Sequence, residues 1–431
     1  MVKKFHGVAA LMAGSLFTLT LSGSTAAAPH PATHQSRVTI TFWNEMTGPY
    51  EVALNRVMAA FGKHYPNVHI VDVVVPNDAT LEPKLLASIV GGNPPTISQL
   101  NPSWAAEFVK TGSLVDLTPF IRSKAGFSLK PFYQNLLAAG QFNGQQYALP
   151  FNVSAAVMYY NVTQFKRAGI KSPPTTWAQF EADARKLSTG GRHAFAITLV
   201  HPYPFRAFVV QAGGSFVLPN GKPNPAIFTP TGAATRAVAL WANMVKNGSA
   251  VLTQGYGSQT DFANGTSSIL EGTSAFYPYL AQAVGKRFPI GVAPLPGDVV
   301  NGSASFGGYL GIFSKATPAQ KTAAEEFVKF LTSRVGQTIW MQDSEGYLPV
   351  RSDVLSVPSA KKFLATHPAQ RVALSVFARS PMSPKVAWWP DFSTDLINDV
   401  TAVLDKKMTP AQAMHTAYQE ALTVYANSPG R

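Results

Sequence analysis

Residues 38–75 read VTITFWNEMTGPYEVALNRVMAAFGKHYPNVHIVDVVV, and this stretch decides the fold class. Val38, Ile40 and Phe42 alternate with Thr39 and Thr41, the period of a strand with one buried face. Leu54, Val57, Met58, Phe61 and Tyr65 then recur at helical spacing, and Pro66-Asn67 stops the helix. Val68 to Val75 is β-branched and reads as a second strand. Working outward, Leu81, Leu85, Leu86 and Ile89 mark another helix, ended by Gly91-Gly92-Asn93-Pro94-Pro95. Thr96 to Leu100 is a short strand, and Pro102-Ser103-Trp104 opens a third helix that ends near Gly112. Strands alternating with helices predict an α/β fold, a sheet with helices on both faces.

The middle of the chain repeats the theme. Tyr147 to Asn152 leads into an apolar strand, Ala155 to Tyr160, and Gln164 to Ala168 is a short helix. Pro173-Pro174-Thr175-Thr176 is a turn whose last residue caps a helix from Trp177 to Leu187. Strands are predicted at 194–199, 267–270, 288–293 and 309–313, and helices at 204–212, 231–247 and 323–331. Beyond Pro349 the pattern is mainly helical, clearest from Asp391 to Leu404.

The chain has 431 residues, enough for two or three cores, and 46% of them are hydrophobic. It contains no cysteine, which removes disulfides, thiolate metal sites and cysteine nucleophiles together. Lys3 and Lys4 precede a mostly apolar run, Val8 to Leu21, and small residues follow to Ala28. That is the layout of a signal peptide over residues 1–28, too short for a comfortable membrane span, with two cleavage points that fit. Leu21-Ser22-Gly23-Ser24 has the shape of a lipobox with Ser in place of Cys, so no lipid can attach there.

Thirty-five Lys and Arg stand against 22 Asp and Glu, a net charge of +13. The basic residues are scattered, in pairs at most, with no stripe to hold nucleic acid. An excess produced by missing acids is what acidic surroundings would favour, because fewer carboxylates are neutralised as pH falls. The nine His residues form no His-Glu-x-x-His and no ligand-spaced cluster, so no metal is expected. No Gly-x-Ser-x-Gly elbow, phosphate loop or dinucleotide fingerprint occurs, so neither catalysis nor a cofactor is expected. A carboxylate pair joined only in space would escape this reading.

An ordered set of motifs carries a resemblance. Phe42-Trp43-Asn44-Glu45-Met46, Gly92-Asn93-Pro94-Pro95 and Gly112-Ser113-Leu114-Val115-Asp116-Leu117-Thr118 come first. Pro150-Phe151-Asn152 follows, with Tyr159-Tyr160-Asn161 and Pro173-Pro174-Thr175-Thr176-Trp177. Phe262-Ala263-Asn264-Gly265, Val292 to Gly297, Gly307-Gly308 and Gly346-Tyr347-Leu348-Pro349 complete it. Together they resemble the extracellular solute-binding proteins of bacterial ABC importers for sugars, nearest the glycerol-3-phosphate-binding branch.

The resemblance implies a two-lobed periplasmic-binding-protein fold of type II, each lobe a mixed sheet flanked by helices, with the ligand in the cleft between. The expected lobes are 37–150 with 308–349, and 151–307 with 350–431. Crossings are expected at Pro150 to Asn152, Gly307-Gly308 and Leu348-Pro349, and closure at a hinge there. It implies an exported monomer that passes a mono- or oligosaccharide, or a related polyol, to the permease subunits. A glycerol-3-phosphate or glycerophosphodiester ligand is the alternative, and a secreted carbohydrate-active enzyme a more distant one.

By motif, the resemblance assigns ligand contacts to Ser154, Thr273 or Ser274, Gly307 or Gly308, and Tyr347. Trp43, Asn44 and Glu45, where the first strand ends, join them as candidates. The branch expects Tyr near Asp78 and Glu near Asn101 or Pro102, and neither is present. Where it expects a phosphate-gripping Arg, Lys385 stands, a point charge rather than a bidentate fork. That difference favours a neutral sugar. Sugar C–H faces pack on aromatic rings. Trp43, Trp104, Tyr203, Phe205, Tyr277, Tyr279, Tyr347, Trp388 and Trp389 all lie near predicted element ends, with core packing as their other reading. Tyr203 is expected in a stiff loop between Pro202 and Pro204. Trp388 or Trp389 is expected to line the cleft just before a helix beginning near Phe392, with Lys385 at the rim.

Overall fold

The computed structural model describes residues 37–428, so the signal-peptide reading lies outside the described residues. Among the described residues eleven strands form: β1 Val38–Asn44, β2 Val68–Val74, β3 Ile97–Leu100, β4 Gln141–Phe142, β5 Gln145–Gln146 and β6 Ala148–Asn161, then β7 Phe195–Thr198, β8 Ala250–Thr253, β9 Ile269–Thr273, β10 Ile290–Ala293 and β11 Ser305–Ile312. β4 and β5 make a small hairpin. The other nine join in the order β2-β1-β3-β11-β6-β9-β7-β8, with β10 added on β6.

The path divides at β6. On one side β2, β1 and β3 run parallel and β11 returns antiparallel. On the other, β9, β7 and β8 run parallel to one another, with β9 antiparallel to β6. β6 serves both halves: Ala148 to Ala155 pair with β11, and Ala156 to Tyr160 pair with β9. Thirteen of its fourteen residues are buried, Tyr160 alone being partly exposed.

Two large cores flank this arrangement. The first gathers Phe42 and Ile40 with Leu54, Val57 and Phe61 of the helix Pro49–His64, and Phe327 of the helix Pro318–Leu331. The helix Pro368–Phe377 buries Ala369, Ala373, Val376 and Phe377 there as well. The second gathers Phe195 and Ile197 with Phe208 and Trp241, and with Phe392 and Met414 of the last two helices. Among the described residues no helix is long and apolar enough to cross a membrane.

Local chemistry explains most elements. Thr176 caps the helix Trp177–Leu187 by accepting from the Gln179 N–H, as its sequence predicts. The helix Pro49–His64 takes Pro49 in its first turn, where a missing N–H is harmless.

Several sequence expectations are displaced. The strand expected at 155–160 begins at Ala148, so Pro150 to Asn152 crosses as extended strand rather than as a loop. β11 makes this possible: the register shifts between Gly308 and Tyr309, beside Pro150, which has no N–H to donate. The Asn152 side-chain Oδ1 accepts the Gly308 N–H at 3.2 Å across the irregularity. The helix expected near Phe392 starts at Trp389, because Pro390 occupies its first turn and needs no partner there. Tyr203 opens the helix Tyr203–Gln211 instead of sitting in a loop. β8 is a strand the sequence reading does not anticipate.

The three expected crossings lie side by side. Gly307 faces Val153 and Gly308 faces Asn152 in the β6–β11 ladder, and Leu348 bridges Val153. Gly307 has φ of 145°, and a Cβ there would overlap the Asn152 carbonyl oxygen. Gly307→Ala should therefore lower unfolding stability by at least about 2 kcal/mol in chemical denaturation; an unchanged midpoint would show that this close approach is dispensable.

The last two helices pack against each other with carboxyls between them. Burial first, and Glu420 second, push the Asp399 carboxyl up to about 7. Glu420 is likewise raised by burial and by Asp395. A folded-state value above the unfolded one makes stability greatest in acid and drains it as pH rises toward that value. Thermal unfolding between about pH 5 and pH 8 should show this loss, and Asp399→Asn should flatten it. Parallel curves for the two proteins would exclude Asp399 as the cause.

Candidate functional site

The parallel strands deliver their chain ends to one place. β1 hands on to Glu45 and Thr47, β3 to Asn101, and β7 to Val200 and His201, all in the wall of one cavity. Ligand sites of open α/β sheets sit at such strand ends. β6 and β11 form its floor through Asn152, Ser154, Phe306, Gly307 and Gly308. β9 closes one side with Glu271, Gly272 and Thr273. The cavity holds about 480 Å³, the scale of a small-molecule site.

Aromatic rings face it in two groups. Tyr203 stacks on His201 at 5.2 Å and leans on Phe306 at 4.8 Å. Behind Phe306 lies Arg206, fully buried one turn after Tyr203, its guanidinium 4.7 Å from the ring. Arg206 donates to the Ser305 carbonyl at 2.7 Å and the Met382 carbonyl at 3.1 Å, which fixes the start of β11 under the ring. Burial lowers the Arg206 pKa to about 10, which leaves it charged at neutral pH. The second group is Tyr50, Tyr279 and Tyr347. Tyr347 stacks on the buried Trp340 at 5.3 Å and lies 4.7 Å from Tyr50. The Tyr50 hydroxyl donates to the Ala275 carbonyl, and Tyr279 donates to the Thr47 carbonyl at 3.2 Å. Burial raises the Tyr50 hydroxyl well above its ordinary range, so it stays a neutral donor.

Polar partners fill the gaps. Gln99, Asn101, Asn152, Ser154, Thr198, Ser258 and Gln259 all line the wall. Its acids are Glu45 and Glu271, and among the described residues neither lysine nor arginine lines it. Burial pushes the Glu271 carboxyl up to about 8.

Of the residues expected from sequence, Glu45, Ser154, Tyr203, Thr273, Gly307, Gly308 and Tyr347 are brought together here. Others are placed elsewhere. Asn44 is buried, its Nδ2 donating to Asp72 at 2.5 Å and its Oδ1 accepting the Met46 N–H at 2.9 Å. It shapes the turn after β1 rather than facing the cavity. Trp43 packs on a small core beneath β3, with Lys84 4.4 Å from its ring. Ser274 is buried one residue past the wall.

The expectation for Trp388 and Trp389 is corrected. Both rings lie in the second core, 3% and 4% exposed, against Phe392. Trp388 donates its indole N–H to the Gly221 carbonyl at 2.9 Å. A helix starting at Trp389 turns both rings inward, where their large apolar area is best buried. Lys385 is also away from the cavity, donating to the Ala138 and Gln141 carbonyls at 2.8 Å each.

Sequence reading missed Gln99, Asn152, His201, Tyr256 and Glu271. Only Glu271 carried a legible signal, an acid inside an apolar strand. Trp241, read as core, is core, yet it also reaches the cavity wall. Among the described residues no cluster of His, Asp and Glu could hold a metal.

Known proteins share this architecture. The sn-glycerol-3-phosphate-binding periplasmic protein UgpB of Pectobacterium atrosepticum is 23% identical, over 97% of this chain and 96% of its own. UgpB of Mycobacterium tuberculosis, solved in complex with glycerophosphocholine, superposes with a TM-score of 0.81 at 21% identity, over 91% of this chain and 99% of that one. The ABC substrate-binding protein Lmo0181 of Listeria monocytogenes, solved in complex with cycloalternan, gives a TM-score of 0.80 at 21% identity, over 91% of this chain and 100% of that one. The fold is thus the two-lobed one of these binding proteins. The profile of the bacterial extracellular solute-binding proteins matches residues 56–369, and the chain belongs to that family.

Proposed function

We propose that this protein is the capture component of an ABC importer, exported by a signal peptide over residues 1–28, and that it acts as a monomer. It takes a neutral mono- or oligosaccharide, or a related polyol, between lobes formed by 37–150 with 308–349 and by 151–307 with 350–431. The lobes close about the three adjacent crossings, and the closed form is presented to the permease.

The observation that carries this reading is the cavity wall. Flat rings at Tyr203, Phe306 and Tyr347 suit the C–H faces of a sugar, and the amides and hydroxyls between them suit its hydroxyls. A phosphate is held most readily by a cation, and among the described residues the wall has His201 but no lysine or arginine. Lys385, at the place expected to grip phosphate, is engaged by two backbone carbonyls outside the wall. The glycerophosphocholine complex of the Mycobacterium tuberculosis relative supports the phosphodiester alternative by likeness alone.

Thermal-shift screening of glucose, maltotriose, a cyclic glucan, glycerol 3-phosphate and glycerophosphocholine tests the ligand class, since a ligand that binds only the folded state raises the midpoint. A neutral saccharide should shift it, and solution scattering with that saccharide should show compaction. Tyr203→Ala should weaken binding about tenfold, for a loss of about 1–2 kcal/mol of ring contact. Lys385→Ala should leave the affinity within about twofold, since a truncation outside the wall removes no ligand contact. Glycerol 3-phosphate binding that Lys385→Ala abolishes would overturn the neutral-ligand reading. Cleaved sugar in the titration would point to the enzyme alternative instead.

A further inference from the structure

One acid in the cavity wall is buried without a partner. Glu271 stands opposite Met158 of β6, is 8% exposed, and makes no hydrogen bond or ion pair with a described residue. It lines the cavity described above. Burying a carboxyl without a partner is unfavourable, and such a group in a native protein calls for an explanation.

The surroundings of Glu271 hold no cation. β6 contributes the buried Tyr159, whose hydroxyl donates to the Thr273 carbonyl at 2.8 Å. The turn after β9 leads to Tyr277, and β7 brings only Phe195, Ala196, Ile197 and Thr198. The other titratable groups of the wall are Glu45, His201 and the tyrosines already described.

We propose that Glu271 takes one hydroxyl of the ligand as a protonated carboxyl, so that tight binding requires that proton. This rests on the carbohydrate reading above. A neutral carboxyl both donates and accepts, which matches a hydroxyl, whereas a carboxylate only accepts. Burial already pushes Glu271 up to about 8, and a ligand that excludes further water disfavours the charged form more. Ligand binding and proton binding then reinforce each other. Affinity is level in acid and falls as pH rises through the alkaline range.

The test compares wild type with Glu271→Gln, which keeps an uncharged donor and acceptor. The probe is the neutral saccharide that gives the largest shift in the panel. Calorimetric titration from about pH 5 to pH 10 should show wild-type affinity falling about tenfold per pH unit above its midpoint, and Glu271→Gln level over the same range. Glu45 and His201 are titratable as well, so the difference between the two proteins is the readout. At neutral pH the infrared band of a protonated carboxylic acid should be present in ligand-free wild type and diminished in Glu271→Gln. Parallel affinity profiles, or an infrared spectrum unchanged by Glu271→Gln, would overturn the inference while leaving the carbohydrate reading intact. Failure of every saccharide with both proteins would overturn the carbohydrate reading itself.

Discussion

The antiparallel pairing of β6 with β11 is the constraint on which the rest depends. β6 is the one strand shared by both halves of the sheet, and β11 runs alongside it from Ala155 back to Ala148. The pair meets most closely at Gly307, where the Asn152 carbonyl occupies the space a side chain would need. Asn152 then repairs the ladder next to Pro150 with its own side chain. Leu348 adds a third segment against Val153. Three adjacent segments held by one ladder resist sliding past one another, because shear would break the ladder bonds. Arg206 reinforces the same point from one side by gripping the Ser305 and Met382 carbonyls.

The cavity follows from that pairing. The floor is the crossing itself, and the walls are the ends of strands that point toward it from either half. The aromatic groups inherit their positions from buried supports: Phe306 rests on Arg206, and Tyr347 on Trp340. Such backing fixes ring planes before any ligand arrives, which reduces the ordering cost of binding. The wall also departs from the chain as a whole. A protein with 35 basic and 22 acidic residues presents two acids and neither lysine nor arginine among the described residues of its cleft. The basic excess is spent elsewhere on the surface, on exposed pairs such as Lys406-Lys407 and on backbone carbonyls, as Lys385 shows.

Burial dominates the carboxyls. Asp72, Glu107, Glu271, Glu325, Asp399 and Glu420 are all raised, with burial as the first cause in each. Asp353 is lowered because Arg351 forks onto it with contacts of 2.7 and 2.8 Å. At Asp353 the forked cation favours the charged form, whereas burial disfavours it at the other six.

The alternation of Val38, Ile40 and Phe42, the heptad-like spacing from Leu54 to Phe61, and the Thr176 cap were sufficient to locate β1, its following helix and the helix from Trp177. Those signals are local, with periods of two or 3.6 residues, and a chain carries them without reference to its fold. Motif order likewise pointed to Glu45, Ser154, Tyr203, Gly307 and Tyr347. What the tertiary structure decided was direction and company. Trp388 and Trp389 sit beside a proline, and only the packing of their helix against Phe392 turns both rings into the core. Glu271 and His201 are seventy residues apart and carry no shared pattern. They line one wall because β9 and β7 lie side by side in the sheet, a long-range arrangement that no local spacing encodes.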